Sequence, residues 1–121
     1  MKVIVVSRDL MFASRIAAIA AEAGIPDERV DDPAAVTAAA PDLVVLEWDD
    51  RAPHWAATVA GWTTAPDGAD GPRVIAAVSH RDVAGIREAR EAGIGQVVAR
   101  SGLAAILRSS LGMAPQASAA S

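Results

Sequence analysis

Asp42-Leu43-Val44-Val45-Leu46-Glu47 sets four consecutive apolar residues between two acids. A strand with one wet face alternates apolar and polar residues, whereas a strand apolar on both faces lies between two layers, as the strands of parallel sheets do. The length of the run and its branched side chains fit such a strand. In a parallel α/β sheet the carboxyl end of a strand is where ligand or chemistry sits. Glu47 stands at that end, and Trp48-Asp49-Asp50 follow it.

Outward from this strand the chain repeats one theme. Val3-Ile4-Val5-Val6 and the segment from Val74 to Val78 are similar apolar runs, and shorter strands are predicted over Glu28 to Asp31 and Val97 to Ala99. Helices are predicted between them. Leu10 to Ala23 has Asp9 as N-cap and Gly24 as stop, and Pro33 to Ala40 starts on a capping Asp32 with proline behind it. Pro53 to Trp62, Arg81 to Ala92 and Gly102 to Leu111 complete the set, with Gly93 closing the fourth helix. The stretch from Thr63 to Pro72 is rich in turn formers, and residues 112–121 read as a flexible C-terminal tail behind a domain of residues 1–111. Five strands alternating with five helices imply a flavodoxin-like, doubly wound five-stranded parallel sheet with helices on both faces.

Composition narrows the function classes. The 121 residues make one domain, and 52% hydrophobic against 21% charged residues is a globular balance. A net charge of -4 argues against general nucleic-acid binding, which needs a basic face. No cysteine is present, so disulfides and thiolate metal sites are excluded. No apolar stretch is long enough to cross a membrane, and no signal-peptide core follows Met1, so a cytoplasmic location is expected.

Most catalytic signatures fail. The turn after the first strand, Ser7-Arg8-Asp9-Leu10-Met11-Phe12, has no glycine, so neither a dinucleotide fingerprint nor a phosphate loop is present. His54 and His80 are the only histidines and lack zinc-ligand spacing. Ser79 and His80 are adjacent, which points their side chains to opposite faces of a strand, and no nucleophile elbow surrounds the serine.

The order of polar residues at the strand ends carries a resemblance spanning about Lys2 to Leu111. It is similar to the receiver domain of two-component response regulators, the CheY-like fold. A receiver has paired acids after strand one, a phosphoacceptor Asp ending strand three, Ser or Thr ending strand four and Lys on strand five. The acid pair falls on Ser7 and Arg8, the phosphoacceptor on Glu47, the hydroxyl on Ser79 in Pro72-Arg-Val-Ile-Ala-Ala-Val-Ser79, and the Lys on Arg100 in Gly93-Ile-Gly-Gln-Val-Val-Ala-Arg100. Ser101 replaces the proline that usually follows, and Val97 replaces the switch aromatic.

The departures redirect the functional expectation. Receiver phosphorylation needs Mg²⁺ on carboxylate oxygens, and Ser7 with Arg8 removes both acids and adds a cation. Glu47 also carries its carboxylate one methylene further out than Asp, which disturbs in-line transfer. The resemblance therefore implies a non-enzymatic pseudo-receiver with no metal or other cofactor. Arg8 is expected to pair with Glu47 or Asp49 in the metal's place while Arg100 reaches the same carboxylate, since guanidinium binds carboxylate in bidentate fashion. Loss of the aromatic at Val97 implies loss of the usual ring-flip readout.

Plainer readings stand beside these. Lys2 is the only lysine against ten arginines, so Arg100 fits compositional drift equally. Ser79 reads also as a helix-capping residue, His80 as a helix-entry residue, and Asp49-Asp50-Arg51 as a solvated loop. Trp55, Val59 and Trp62 recur at helical spacing and read as core. Trp48, next to the pocket acid, is expected to shield the pocket or form part of a contact surface, with Asp9 and Asp49 as the other pocket neighbours.

With chemistry disabled, function is expected through a surface. Receivers generally meet partners through helix four, strand five and helix five. The corresponding residues include Arg81, Arg87, Arg90, Val97 and Arg108, a set rich in the arginine that interfaces favour, although a solvated helix face gives the same pattern. The expected partner is another protein or a second copy of the chain, with no role for nucleic acid or membrane. Two alternatives remain open: a residual phosphoacceptor or small-ligand sensor in a phosphorelay, and an enzyme of another flavodoxin-like family, for which no nucleophile, base and oxyanion set is found.

Overall fold

In the computed structural model, which describes residues 1–36, 41–63 and 72–113, the five strands pair in one wholly parallel sheet. They are β1 (Val3–Val6), β2 (Asp27–Val30), β3 (Leu43–Glu47), β4 (Arg73–Val78) and β5 (Gln96–Ala99), in the spatial order β2-β1-β3-β4-β5. The α-helices are α1 (Leu10–Glu22), α2 (Trp55–Thr63), α3 (Val83–Glu91) and α4 (Leu103–Ser110). The chain leaves β1 toward β2 on one side and returns to place β3 on the other. Such a reversal opens a crevice at the strands' carboxyl ends. Val6 pairs with Leu46 in register, so the residues that follow, Ser7 and Glu47, emerge side by side into that crevice.

Alternation along the buried strands feeds two cores, one on each side of the sheet. Val3, Val5, Leu43, Val45, Ile75 and Ala77 face α1 and α4, where Phe12, Ile16, Leu103 and Leu107 meet them. Ile4, Val6, Val44, Leu46, Ala76 and Val78 face α2 and α3 and pack with Trp48, Trp55, Val59 and Ala89. Every residue of β1 and β3 is buried, and each such aliphatic side chain stabilises by about 1.5–3 kcal/mol relative to exposure. β2 is a largely exposed edge strand. Trp55 and Val59 are buried and Trp62 is half-buried against them, so the tryptophan stripe of α2 is core.

Local chemistry sets the helix ends. The Asp9 carboxylate accepts from the Met11 and Phe12 amides at 2.9 and 3.3 Å, starting α1. Gly24 at φ 71° and Gly93 at φ 87° take the left-handed conformation that ends α1 and α3. The expected helix over Pro33 to Ala40 is corrected in its described part, giving four α-helices among the described residues rather than five. Asp32 does cap the Ala34 amide, but Pro33–Ala35 forms a 3₁₀ turn closed by an i→i+3 bond from Val36 to Pro33. Residues 37–40 lie outside the described residues, as do 64–71 of the expected loop and 114–121 of the expected tail. The stretch after Glu47 is likewise ordered, with Trp48–Asp50 forming a second 3₁₀ turn. Among the described residues no helix is long and apolar enough to cross a membrane.

Candidate functional site

Ser7 and Glu47 are the buried polar residues at the carboxyl edge of the sheet, 0% and 4% exposed. The Ser7 hydroxyl donates to Glu47 Oε1 at 2.6 Å, and Arg100 Nη1 donates to Glu47 Oε2 at 3.0 Å. Each carboxylate oxygen thus has its own donor, one neutral and one cationic, which is what a carboxylate needs where water is scarce. Arg100 is delivered by the 3₁₀ turn Arg100–Gly102 that follows β5. Its guanidinium lies 5.0 Å from the ring centre of Phe12, the only phenylalanine of the chain, and 3.7 Å from Asp49 Oδ2. The aromatic face holds the cation over the pocket as well as the carboxylate does. Phe12 had no mark in the sequence as part of this site, because the contact joins α1 to the end of β5.

Arg8 does not take the expected place against Glu47 or Asp49. Its guanidinium turns outward to Asp50, with Nε–Oδ2 at 3.2 Å and Nη2–Oδ1 at 3.3 Å. Ser7 and Arg8 are consecutive residues leaving a strand and so point to opposite sides. The inward direction belongs to Ser7. Arg8, Asp9, Glu47, Asp49 and Asp50 line a shallow cleft above the sheet edge.

Ser79 contributes its backbone to the site rather than its hydroxyl. Its amide donates to Asp49 Oδ1 at 2.8 Å, while its Oγ accepts from the Arg81 amide at 3.3 Å, as a turn residue does. The N-cap of α3 is Asp82, whose carboxylate accepts from the Gly85 amide at 2.8 Å. His80 is exposed.

Trp48 is neither a shield over the pocket nor a contact surface. It is fully buried on the opposite side of the sheet from Glu47, edge-on to Trp55 at 6.4 Å between ring centres, and its indole N–H donates to Gly85 O at 3.0 Å. Adjacent positions at a strand end diverge, so the pocket takes Glu47 and the core takes Trp48. Arg51 completes a clamp that sequence reasoning missed. It donates to Trp48 O at 2.9 Å, to Asp82 Oδ2 at 3.1 Å and to Glu88, and its guanidinium carbon lies 5.6 Å from the Trp48 ring centre. The Gly85 amide and then the Arg51 guanidinium hold the Asp82 carboxyl below its ordinary value. The turn below the pocket is thereby bolted to α3.

The expected contact face divides. Arg81, Arg87 and Arg90 are exposed along α3 and its approach, and Val97 is half-buried against the core beneath α2 and α3. Arg108 is removed from this face. It grips Glu22 with two hydrogen bonds, at 2.7 and 3.2 Å, and ties α4 to α1.

No protein-family model matches the chain, and no curated protein does. Solved structures do. The signal receiver domain of a DNA-binding response regulator from Colwellia psychrerythraea 34H matches with a TM-score of 0.72 at 12% identity, over 93% of this chain and 99% of that one. The receiver domain of the sensor histidine kinase PA1611 from Pseudomonas aeruginosa PAO1, solved with a magnesium ion coordinated in its active site cleft, matches with a TM-score of 0.70 at 16% identity, over 92% and 97%. The receiver domain of the Saccharomyces cerevisiae response regulator Ssk1, crystallised with the histidine phosphotransfer protein Ypd1, matches with a TM-score of 0.71 at 7% identity, over 89% and 86%. Sheet order, site position and these likenesses agree: the chain has the CheY-like fold of response-regulator receiver domains.

Proposed function

We propose that this domain is a non-enzymatic pseudo-receiver, a cytoplasmic module of two-component signalling that acts through protein–protein contact instead of accepting phosphate. The observation that carries the reading is the carboxylate of Glu47, buried at the end of β3, where the resemblance puts the phosphoacceptor, with Ser7 on one oxygen and Arg100 on the other. In-line transfer needs a free carboxylate oxygen facing the donor. Freeing one here breaks a bond to a buried charged group.

The group the fold implies is Mg²⁺, which takes carboxylate oxygens in near-octahedral geometry. The residues here do not fit it. Asp9 is engaged as a helix cap, Asp49 by the Ser79 amide, Asp50 by Arg8, and Glu47 by Ser7 and Arg100. Among the described residues no group of three or more His, Cys, Asp or Glu could hold a metal ion. A cation entering beside Arg100 also meets like-charge repulsion, about 4 kcal/mol between unit charges 4 Å apart near a surface.

Protein contact is supported by the Ssk1 receiver domain, which was crystallised with a protein partner. In this chain the contact would be made by α3 and the edge strand β5, with a partner protein or a second copy. The test is an Mg²⁺ titration with and without beryllofluoride, an aspartyl-phosphate mimic, followed by Trp fluorescence and by the amide resonances of Ser7 and Glu47. No saturable change is expected. A saturable, Mg²⁺-dependent response overturns the reading and restores the residual phosphoacceptor or ligand sensor in its place.

A further inference from the structure

The wedge between α1 and the start of α4 holds a small cleft of about 120 Å³. Its floor is Phe12, Ile16 and Ile19 from α1 and Leu103 from α4, all buried. Its rim carries Arg15, Arg100 and the exposed Ala104. Phe12, Arg15, Ile16 and Ile19 stand at i, i+3, i+4 and i+7, so one stripe of α1 supplies both an apolar wall and a cation. The two arginines are held differently. Arg100 uses Nη1 on Glu47 and Asp49, and among the described residues no hydrogen bond engages its Nε or Nη2. Arg15 is exposed, and among the described residues its side chain has no ion pair or hydrogen bond. Neither the 3₁₀ turn Arg100–Gly102 nor α4 has a side-chain cap, so the amide end of α4 adds positive potential at the same place.

We propose that this cleft binds a small organic monocarboxylate, with its carboxylate between Arg15 and the free edge of Arg100 and its hydrocarbon body on Ile16, Ile19 and Leu103. Size sets the body. A cavity of about 150 Å³ lined by Leu, Ile and Phe takes up benzene, so a ring or a chain of about six carbons suits this one. Charge sets the head. Guanidinium takes carboxylate in bidentate fashion, and the pair strengthens where an apolar body excludes water. Inorganic phosphate is the poorer fit, because it brings no apolar surface to cover the floor. The inference adds a small-molecule site to the protein-contact reading and holds whether or not Glu47 accepts phosphate.

The experiment titrates the full chain, labelled at its Ile and Leu methyl groups, with benzoate and with hexanoate. The methyl resonances of Ile16, Ile19 and Leu103 are the readout. Saturable shifts are expected for at least one acid, with a dissociation constant of about 1 mM or below, and the tighter of the two tells a ring from a chain. The neutral amides, benzamide and hexanamide, are expected to bind about tenfold more weakly. Arg15→Gln is expected to lose about fivefold in affinity, and Ala104→Phe, which fills the mouth of the cleft, to abolish binding. Lys2→Gln, a cation at the opposite end of β1, is expected to leave it unchanged. Circular dichroism of each variant checks that the fold is kept. No saturable shift, equal binding of the amides, the same shifts with inorganic phosphate, or binding unchanged in both Arg15→Gln and Ala104→Phe overturns the proposal. Carboxylate binding together with a beryllofluoride response keeps this site and removes the non-enzymatic reading. No carboxylate binding and no beryllofluoride response does the reverse.

Discussion

A buried carboxylate persists in a fold only where its charge is answered, and at Glu47 two residues answer it. Arg100→Ala leaves that charge with the Ser7 hydroxyl alone, and we expect a loss of about 1–3 kcal/mol in urea unfolding. In Arg100→Ala/Glu47→Gln most of this loss returns, because the charge requiring a partner has gone. Equal losses in the single and double variants would show that Arg100 stabilises through its packing on Phe12 rather than through the ion pair. Both residues of the pair could be named from the sequence, since each ends a strand at the same edge. The partner of Arg8 could not. Which of two consecutive side chains turns inward depends on where the strand stops and its alternation ends.

Among the elements, α3 is fastened to the turn after β3 through a glycine. A Cβ built on Gly85 would stand 2.3 Å from Asp82 Oδ2, 2.6 Å from Asp82 Cγ and 3.0 Å from Arg51 Nη1. Glycine to alanine inside a helix ordinarily gains up to about 1 kcal/mol. Here a Cβ would push the Asp82 carboxylate off its cap on the Gly85 amide and its pair with Arg51, and Gly85→Ala is expected to cost about 0.5–2 kcal/mol and lower the thermal midpoint. The same clamp responds to acid. Asp82 is depressed by the Gly85 amide first and by Arg51 second, and Asp32 by the Ala34 amide first, with His54 a smaller aid. A depressed carboxyl contributes stability that is complete above its unfolded value, about 3.9, and is lost as pH falls through the lower folded value. Stability is therefore expected to decline on acidification through that range, and Asp82→Asn to flatten the decline in urea unfolding measured at several pH values. This element-level device left one trace in the sequence, an Asp ahead of a helix with Gly three residues later. Arg51 left none, because its partners are 31 and 37 positions away.

At the scale of the whole molecule, both cores are built on β1, β3 and β4, so the two sides of the sheet are expected to melt together. Leu107 is fully buried on the α1 and α4 side, while the buried tryptophans Trp48 and Trp55 lie on the other. Leu107→Ala is expected to cost about 2–5 kcal/mol. Its unfolding followed by Trp fluorescence should coincide with that followed by far-ultraviolet circular dichroism. Separate midpoints would show that the two cores are independently stable.

Local pattern by itself determined the strand and helix alternation, the buried parallel character of β1 and β3, and the strand end at which Glu47 stands. Those features follow from the period of apolar residues and from caps such as Asp9 and Gly24, which act within a few positions of the chain. Only the tertiary structure decided that Arg8 turns away from Glu47 to Asp50, that Trp48 is core, that Arg108 clasps α1, and that the described part of the segment after β2 is a 3₁₀ turn. The first two turn on which of two neighbouring side chains faces inward where a strand ends, and the third on a partner distant in sequence. Burial, reach and alternation settle all three, and these exist only once the sheet has formed.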